Sequence, residues 1–583
     1  MTNEYLHKIV VPLSGTDLDD VHDFSTYFNK LQTNDADNLE DQQKDILKML
    51  SAVCSFCLQS RQQYPFIPMM QWEGKRSMIP DDLTDGELDI LKELTNEVLP
   101  PVLMARFCDV LWVRKKDFKM AEKAISAYLD CAEKRFIDYW PGAADCGRRA
   151  AIIANELGRK NNTRQIVFEK IKQLFEAACA KIEQSNTPFW ANALAEILID
   201  QCDATDLVEL GKSCDALGDK MTGVWVKDEY YNLAARAFEK AGQSAERSQV
   251  YKKLGKCWED DANSFYKPNG GEGMQIAFRL NKAIEAYRSG GHKANAEQLI
   301  KELQKANLLT ISQMKKIEVK LDMTKLVEEA LEEIKDKAGM DAINSFASLV
   351  RLPAYKKMLD QVKEQAQQFP LQRLIPGETL TAEGNISAVT KGGLSESGPD
   401  ILAGLVFQYD IHRKVSATVL ESSRQIILKD GAQQWKKGIE ELLRNHPLVA
   451  EDRKDIVVQS LVAGIEGNRV VFLHLIIPQL ENSIREIVAK AGGKTTAMKQ
   501  GVMREIDSNQ LLTDDNAGKN KIISALGEDI VWDLRTLLVE QAGPNLRNRV
   551  CHGLATSAEL NSLNAVYLLW LVLHILVTHK SKK

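Results

Sequence analysis

The chain has 583 residues, of which 44% are hydrophobic and 27% are charged, and its formal net charge is -6. This composition excludes a wholly disordered chain, and the length predicts about two to four folded domains. The negative charge excludes a general electrostatic attraction to nucleic acid, so a site that binds an anion must be a local basic patch.

The N-terminal sequence and the cysteines favour a cytoplasmic protein. MTNEYLHKIVVPL lacks the basic start and the long apolar core of a secretory signal, and nine of the ten cysteines lie at or before Cys257 at irregular spacings. Cys54 and Cys57 form a CxxC pair without a second pair at zinc-ribbon spacing. Two buried cysteines in an apolar helix are therefore favoured roughly fivefold over a metal site. We expect no metal and no cofactor.

Helical spacing of apolar residues recurs along the first 368 residues, and strand signals are scarce. Residues 103–136 predict two helices joined at Lys115–Asp117. Phe238 and Tyr287, 49 residues apart, are each followed four residues later by a glycine. This pattern is similar in style to tetratricopeptide repeats and predicts an array of helical hairpins, and an irregular helical bundle is equally compatible with it.

Helical periodicity stops at residues 369–400, which are rich in Pro, Gly, Ser and Thr. We interpret this stretch as a linker between an N-terminal array, residues 1–368, and a C-terminal helical domain, residues 401–583. The overall prediction is therefore an all-α protein.

Within the C-terminal domain, residues 491–520 interrupt the helices and predict a long loop or a small excursion. Their GGKTT sequence is not a phosphate-binding loop, because position 488 is valine where that loop needs glycine. The apolar run 565–577 is too short to span a bilayer and predicts a core helix, so we expect no membrane association.

The stretch GPNLRNRVCHGLA, residues 543–555, lies between two apolar helices. Gly543 and Pro544 predict the end of the first helix, and Asn545 is expected to cap the next turn. Thr556 with Glu559 predicts a capping box that starts the final apolar helix.

A helical wheel of about 100° per residue divides this junction into two faces. Asn548 and His552 share the polar face and are expected to cooperate. Arg547 lies about 140° from His552, so one straight helix would not bring both to the same atom. The residues expected to face the core are Leu546, Val550 and Leu554.

Arg, Asn and His at this junction suit cleavage of RNA, whose own 2′-hydroxyl supplies the nucleophile. Histidine exchanges protons near neutral pH, so His552 is the candidate general acid–base. Arg547 is the candidate for binding the phosphate charge in the transition state. Asn548 is expected to orient the phosphate or the imidazole, and Arg549 to support the phosphate and the helix junction.

The spacing alone is weak evidence, because Arg469 and His474 repeat it inside a continuous apolar run, where the histidine is expected to be structural. At the junction, the sequence NLRNRVCHG resembles the ribonuclease motif of the HEPN superfamily, which is Arg, a polar residue and His within four to six residues. Residues 455–580 resemble a branch shared by bacterial proteins of uncharacterised function and a eukaryotic endoplasmic-reticulum-associated RNA-degradation protein. The resemblance implies a four-helix domain that dimerises, so that two facing motifs form one composite RNA-cleaving site.

His474, Glu481 and Arg485 fall within about 40° of each other on the preceding helix. This stripe is expected either to line the same cleft, with Glu481 orienting a basic residue, or to be a solvated face. In the second case its ion pair contributes less than about 1 kcal/mol.

Two functions remain open. The favoured one is a metal-independent endoribonuclease, and the resemblance implies a regulated toxin or antiviral effector whose N-terminal helices recognise a trigger, a protein partner or the RNA. The alternative is a non-catalytic helical scaffold whose HEPN-like domain binds RNA or mediates dimerisation.

Overall fold

A computed structural model of the chain describes residues 9–580 except 10–12, 14–17, 19, 35–38, 63, 73–74, 136–139, 159–161, 183–189, 269–270, 316–319, 370, 372–376, 391, 393–398, 430–431, 500 and 516–517. Helices account for 74% of these residues and strands for 5%, which confirms the all-α prediction. The chain divides into two compact units, unit 1 (Met1–Thr310) and unit 2 (Ile311–Lys583).

Unit 1 contains two short antiparallel hairpins among its helices. The strands are β1 (Cys57–Leu58) paired with β2 (Phe66–Ile67), and β3 (Gln71–Trp72) paired with β4 (Lys75–Arg76). The helices are α1 (Val21–Asn34), α2 (Asp41–Ser55), α3 (Asp85–Leu94), α4 (Pro101–Lys115), α5 (Phe118–Arg135), α6 (Trp140–Leu157), α7 (Thr163–Ile182), α8 (Trp190–Gln201), α9 (Ala204–Lys220), α10 (Val224–Lys240), α11 (Ser244–Ser264), α12 (Gly273–Ser289) and α13 (Lys293–Gln313).

The predicted pair of helices in residues 103–136 is confirmed as α4 and α5, and Lys116 between them has a left-handed backbone with φ of 51°. The CxxC pair differs from its prediction. Cys54 is buried at the end of α2, but the helix stops at Ser55 and the half-buried Cys57 begins β1.

The two predicted aromatic–glycine positions have the same local geometry. Gly242 and Gly291 adopt φ of 73° and 81°, a backbone conformation that favours glycine. In each turn, the N–H of the following residue donates to the carbonyl oxygen of the aromatic residue, Phe238 or Tyr287, at 2.8 Å. The two turns therefore have the same backbone conformation and hydrogen bond. A regular repeat beyond these two positions stays a prediction.

Glycines on neighbouring helices make room for these buried aromatic rings. A Cβ atom at Gly255 in α11 would lie 2.7 Å from Cδ1 of Tyr287, and one at Gly211 in α9 would lie 2.9 Å from Cε1 of Phe238. These are distances that real Cβ atoms do not adopt. Close approach of consecutive helices in unit 1 thus depends on glycine at both positions.

Unit 2 consists of helices with two further antiparallel hairpins. The strands are β5 (Gly377–Leu380) paired with β6 (Ile386–Thr390), and β7 (Thr496–Lys499) paired with β8 (Val502–Glu505). The helices are α14 (Thr324–Ile334), α15 (Gly339–Ser348), α16 (Tyr355–Gln368), α17 (Pro399–Lys429), α18 (Ala432–Leu442), α19 (Lys454–Ile465), α20 (Arg469–Lys490), α21 (Ser508–Thr513), α22 (Lys519–Leu526), α23 (Glu528–Leu538), α24 (Leu546–Cys551), α25 (Ser557–Leu560) and α26 (Leu563–Thr578).

The unit boundary lies at Thr310 rather than at the predicted linker 369–400. Helices before the linker belong to the C-terminal unit because α15 contributes Ile343 and Phe346 to its main core. In α16, Tyr355 stacks on Trp532 with ring centroids 4.5 Å apart and an interplanar angle of 3°. The linker itself contains the hairpin β5–β6, and residues 370, 372–376, 391 and 393–398 lie outside the described residues.

The apolar run predicted to be a core helix is α26, whose residues are mostly buried in the core of unit 2. Within the described residues, one helical stretch, Ser557–Thr578, is long and apolar enough to cross a membrane, and 61% of its apolar window is buried inside the protein. Burial of its side chains by neighbouring helices explains the apolar composition.

A buried ion pair joins three helices of unit 2. Nη1 of Arg413 in α17 donates to Oδ1 of Asp533 in α23 at 3.2 Å, and the hydroxyl of Tyr567 in α26 donates to Oδ2 of Asp533 at 2.6 Å. Neither charged side chain is exposed to solvent. Burial raises the pKa of Asp533 although Arg413 acts to lower it.

We predict that Gly255→Ala destabilises unit 1 by about 1–3 kcal/mol, because the added methyl group overlaps the ring of Tyr287. The measurement is urea unfolding followed by circular dichroism. Gly86→Ala is the matched control, since Gly86 lies in α3 with nothing within 4 Å of its Cβ position, and alanine favours a helix. Equal stability of wild type and Gly255→Ala would contradict this packing.

Candidate functional site

The candidate site begins on α20, which presents Glu481 opposite its core face. Ile476, Ile477 and Ile484 of this helix are buried in the core of unit 2. Glu481 and Arg485, one helical turn apart, form an ion pair, as the predicted polar stripe requires. Nε of Arg485 also donates to the carbonyl oxygen of Ile506 at 3.3 Å.

The second part of the site is the junction formed by residues 543–555. Helix α23 ends at Leu538, and α24 begins at Leu546 after a left-handed Asn545 with φ of 49°. The prediction that the Asn545 side chain caps α24 is wrong. Its Oδ1 instead accepts a hydrogen bond from Nδ2 of Asn548 at 2.7 Å.

Arg547 contacts Glu481, which precedes it by 66 residues in the chain. Its Nε donates to Oε2 of Glu481 at 2.9 Å and its Nη2 to Oε1 at 3.5 Å. The Arg547 side chain is 15% exposed and that of Glu481 is 11% exposed. The pair is thus mostly shielded from water, where a charge-assisted hydrogen bond is stronger than on an open surface.

Asn548 extends this network through both ends of its amide group. Its Oδ1 accepts from Nη1 of Arg547 at 2.9 Å and from Nδ2 of Asn509 at 3.1 Å. Its Nδ2 is the donor to Asn545. The side chain of Asn548 therefore fixes the orientation of Arg547 and makes no hydrogen bond with the ring of His552 among the described residues.

The electrostatics of the site follow from these contacts. Burial acts against ionisation of Glu481, but the hydrogen bond and charge of Arg547 and the charge of Arg485 outweigh it and lower the pKa of the carboxyl. Burial likewise acts to lower the pKa of Arg547, and Glu481 more than compensates, so this pKa is raised. The carboxylate of Glu481 lies between the two guanidinium groups, and Oε2 of Glu505 lies 4.0 Å from Nε of Arg485, so two acidic side chains balance the two arginines.

His552 lies just after the end of α24, exposed to solvent. Its backbone N–H donates to the carbonyl oxygen of Asn548 at 3.1 Å. In the described part of the chain, its ring has no hydrogen-bond or ion-pair partner. The structure therefore does not join His552 to Asn548 or Arg547 through their side chains within one chain.

The prediction that Leu554 faces the core with Leu546 and Val550 is wrong. Leu546 and Val550 are buried, but Leu554 is 58% exposed. The reason is that α24 ends at Cys551 and Gly553 takes a left-handed backbone with φ of 66°. The helical wheel ceases to apply at that point.

Arg549 belongs to a neighbouring cluster. Its Nη2 donates to Oε2 of Glu559 at 2.8 Å and lies 3.5 Å from Oε1 of Glu383, in the turn between β5 and β6. Glu559 and Thr556 form the predicted capping box. It opens the short helix α25, however, and the apolar helix α26 starts separately after Ser562.

His474 does not reach the site, although Glu481 and Arg485 of the same stripe do. The ring of His474 is exposed, and its Nδ1 lies 2.8 Å from the carbonyl oxygen of Val470, one turn earlier. This contact within α20 explains the orientation of the His474 ring. Within the described ranges, no group of three or more His, Cys, Asp or Glu side chains is arranged to hold a metal ion.

Sequence reasoning missed Ser508 and Asn509, which come from residues 491–520. The hydroxyl of Ser508 donates to Oε2 of Glu481 at 3.1 Å, and Asn509 donates to Asn548. This stretch forms the hairpin β7–β8 and the helix α21 rather than an irregular loop. Asp507 caps α21 by accepting a hydrogen bond from the N–H of Gln510 at 2.9 Å. An aspartate a few residues before Leu511 and Leu512 is the sequence feature that could have predicted the start of this helix.

Comparison with known proteins gives one match, over residues 8–166, to a family described as a domain of unknown function (DUF7380). This region lies in unit 1 and does not include the candidate site. No curated protein and no solved structure matches the chain.

We predict that Glu481→Gln lowers the free energy of unfolding of unit 2 by about 2 kcal/mol at neutral pH, because charged hydrogen bonds to Arg547 and Arg485 are lost. The folded-state pKa of Glu481 lies below the ordinary value of 4.5. The stabilisation that ionised Glu481 contributes is complete above pH 4.5, and it is lost as the pH falls through the lower pKa of the folded state. The difference between wild type and variant should therefore narrow below pH 4.5 in urea unfolding.

The control for this experiment is Glu486→Gln, on the same helix, whose carboxylate is 47% exposed and lies 3.8 Å from Nζ of Lys490. An exposed pair of this kind contributes little, so stability should change by less than about 1 kcal/mol. Equal losses in both variants would argue against a special role of Glu481.

Proposed function

We propose that unit 2 is a metal-independent endoribonuclease in which Arg547 binds the scissile phosphate and His552 transfers protons. The observation that carries the proposal is the combination of a pre-oriented, mostly buried arginine with an exposed, unpartnered histidine five residues later. The resemblance of this motif to HEPN ribonucleases supports the same assignment. Residues Asn548, Asn545, Glu481 and Arg485 then act by positioning Arg547.

The hydrogen bonds of Arg547 support phosphate binding. A guanidinium group has five N–H donors, and Glu481 and Asn548 accept three of them in the single chain. Two N–H groups remain for two phosphate oxygens, the bidentate geometry that arginine favours. Since Glu481 and Asn548 already fix the side chain, little orientational entropy is lost on binding.

The exposed position of His552 supports a site completed by a second chain. In one chain, its ring is not held against Arg547, whereas a solvent-facing ring can enter the cleft of a facing copy. We propose a homodimer in which two motifs face each other, as in the HEPN superfamily. Burial of His552 in the core would have favoured a purely structural role.

The proposed reaction needs no external nucleophile. His552 accepts the proton of the 2′-hydroxyl as its oxygen bonds to phosphorus, and the resulting imidazolium donates this proton to the departing 5′-oxygen as the P–O bond breaks. The products are a 2′,3′-cyclic phosphate and a free 5′-hydroxyl. Arg547 stabilises the negative charge that accumulates on the phosphate oxygens in the transition state. DNA lacks the 2′-hydroxyl and is inert by this route.

A second candidate is a scaffold whose HEPN-like domain binds RNA or dimerises without cleaving it. The pairing of both motif arginines with carboxylates favours this candidate, because RNA must then compete with Glu481 at Arg547 and with Glu559 at Arg549. Such pairs also occur where arginine only stabilises a fold.

We further propose that the ribonuclease is cytoplasmic and regulated, as a toxin or an antiviral effector. Unit 1 is then the part that recognises a trigger or a protein partner.

We predict that the protein cuts labelled single-stranded RNA in the presence of EDTA and leaves DNA of the same sequence intact. His552→Ala should reduce the rate about 100-fold or more, because general acid–base catalysis is lost. His474→Ala is the matched control, since it has the same spacing from an arginine but lies outside the cluster. Cleavage by His552→Ala at the wild-type rate would contradict the assignment, and RNA binding without cleavage by wild type would favour the scaffold.

We also predict that Arg547→Ala and His552→Ala, each inactive alone, regain part of the wild-type activity when mixed and allowed to exchange subunits. In such a heterodimer, one composite site keeps Arg547 from one chain and His552 from the other. Activity at a fraction of wild type, approaching about one quarter for random exchange between equal amounts, is the expected result. If the mixture stays inactive although sedimentation demonstrates heterodimers, the site does not combine residues of two chains.

A further inference from the structure

The stretch between α20 and α22 carries a hairpin attached directly to the candidate site. We refer to residues 494–506, which contain β7 and β8, as the basic hairpin. Its base closes through the N–H of Ile506, which donates to the carbonyl oxygen of Thr495 at 2.8 Å. The carbonyl oxygen of Ile506 accepts from Arg485, and Ser508 donates to Glu481 immediately afterwards. The hairpin is thus held by the same side chains that orient Arg547.

Both faces of the basic hairpin are exposed to solvent. Met498 and Met503 are directly opposite in the ladder and are 74% and 66% exposed. Val502, which points to the other face, is 56% exposed. A two-stranded hairpin of this kind adds little stability by itself, and exposed apolar side chains at such a position are typical of a binding surface.

The charge of this stretch is opposite to that of the whole chain. Residues 490–505 contain one acidic residue, Glu505, and four basic residues, which are Lys490, Lys494, Lys499 and Arg504. Lys494 and Arg504 are exposed and have no ion-pair partner among the described residues. An anionic ligand therefore matches this surface, whereas the arginines of the motif itself are already paired with carboxylates.

We propose that the basic hairpin binds the single-stranded RNA that flanks the cleaved phosphate. Lys494 and Arg504 contact backbone phosphates, and the pair of Met498 and Met503 packs against the face of an unstacked base. Because the base of the hairpin is fixed to Arg485 and Glu481, RNA bound there is held beside Arg547. This inference rests on the proposed function, since it identifies the surface that delivers its substrate.

Single-stranded RNA fits this surface better than a duplex. An apolar pair on an exposed hairpin can meet a base only where that base is not stacked and paired within a helix. The binding is expected to depend strongly on salt, because each phosphate contact releases condensed counterions.

The test uses the full-length chain with His552→Ala, which prevents cleavage, and a fluorescent single-stranded RNA of mixed sequence. The affinity is measured by fluorescence anisotropy at several salt concentrations. The Lys494→Ser, Arg504→Ser double variant should weaken binding on the order of tenfold and reduce the salt slope by about 1.4, which corresponds to two phosphate contacts. The substituted side chains are exposed, so an unchanged circular dichroism spectrum is expected and serves as the check on folding.

The matched control is Lys436→Ser with Lys437→Ser, which removes the same charge from exposed positions of α18. It should leave the affinity and the salt slope unchanged. Met498→Thr with Met503→Thr, which keeps strand-favouring residues, should weaken binding without changing the salt slope.

The outcomes separate this inference from the proposed function. Hairpin-dependent RNA binding by a chain that does not cleave RNA supports the inference and contradicts the ribonuclease. The inference alone is overturned if the Lys494→Ser, Arg504→Ser substitutions leave RNA binding unchanged in the His552→Ala chain and leave RNA cleavage unchanged in a chain that keeps His552. The exposed methionines then point to a protein partner. A chain that binds no RNA overturns both.

Discussion

The carboxylate of Glu481 connects three parts of unit 2 that are distant in the sequence. It accepts from Arg485 on its own helix, from Ser508 after the β7–β8 hairpin, and from Arg547 at the helix junction. A partly buried carboxylate is costly unless several donors compensate for lost hydration. The hydrogen bonds from Arg485, Ser508 and Arg547 compensate for this loss. The contact with Glu481 also holds the Arg547 side chain in one orientation. The geometry of the site therefore depends on a single acidic side chain outside the motif itself.

The two arginines of the motif consequently differ from free cations. Arg547 faces Glu481, and Arg549 faces Glu559, so the long-range field of the junction is weaker than the sequence NLRNRVCHG alone indicates. In the proposed function, the unpaired cations Lys494 and Arg504 of the neighbouring hairpin attract the RNA over longer distances. The proposed ribonuclease would thus use paired arginines at the junction to orient the phosphate and unpaired cations beside it to attract the RNA.

Local patterns predicted the helices well because apolar periodicity and turn residues act over a few positions. The α4–α5 pair, the glycine turns after Phe238 and Tyr287, and the capping box at Thr556 are all of this kind. The pairing of Glu481 with a basic residue was also predictable, since the helical wheel placed Glu481 on the polar face of α20. Which arginine it contacts across 66 residues was not predicted.

The remaining features depend on contacts that a single sequence does not encode locally. The helices of residues 324–368 have an amphipathic pattern that suits packing against α17 and packing within unit 1 equally well. The sequence of this stretch therefore does not show to which unit it belongs. The hairpin β7–β8 was missed because its strands are four residues long and exposed on both faces, so no alternation of apolar and polar residues marks them. Leu554 was misassigned because one glycine, Gly553, ends the helix on which the prediction was based.

The stack of Tyr355 on Trp532 has a consequence for how this protein can be dissected. A fragment that begins at residue 401 would lack α16 and would uncover Leu405 and Tyr409, which pack with Val362. It would also lack Glu383, the hairpin carboxylate beside Arg549. Such a fragment would expose part of this core to water, so its behaviour would carry little information about the junction. Unit 2 extends from Ile311 to Lys583, so the stretch rich in glycine and proline lies inside it and is not a place to cut.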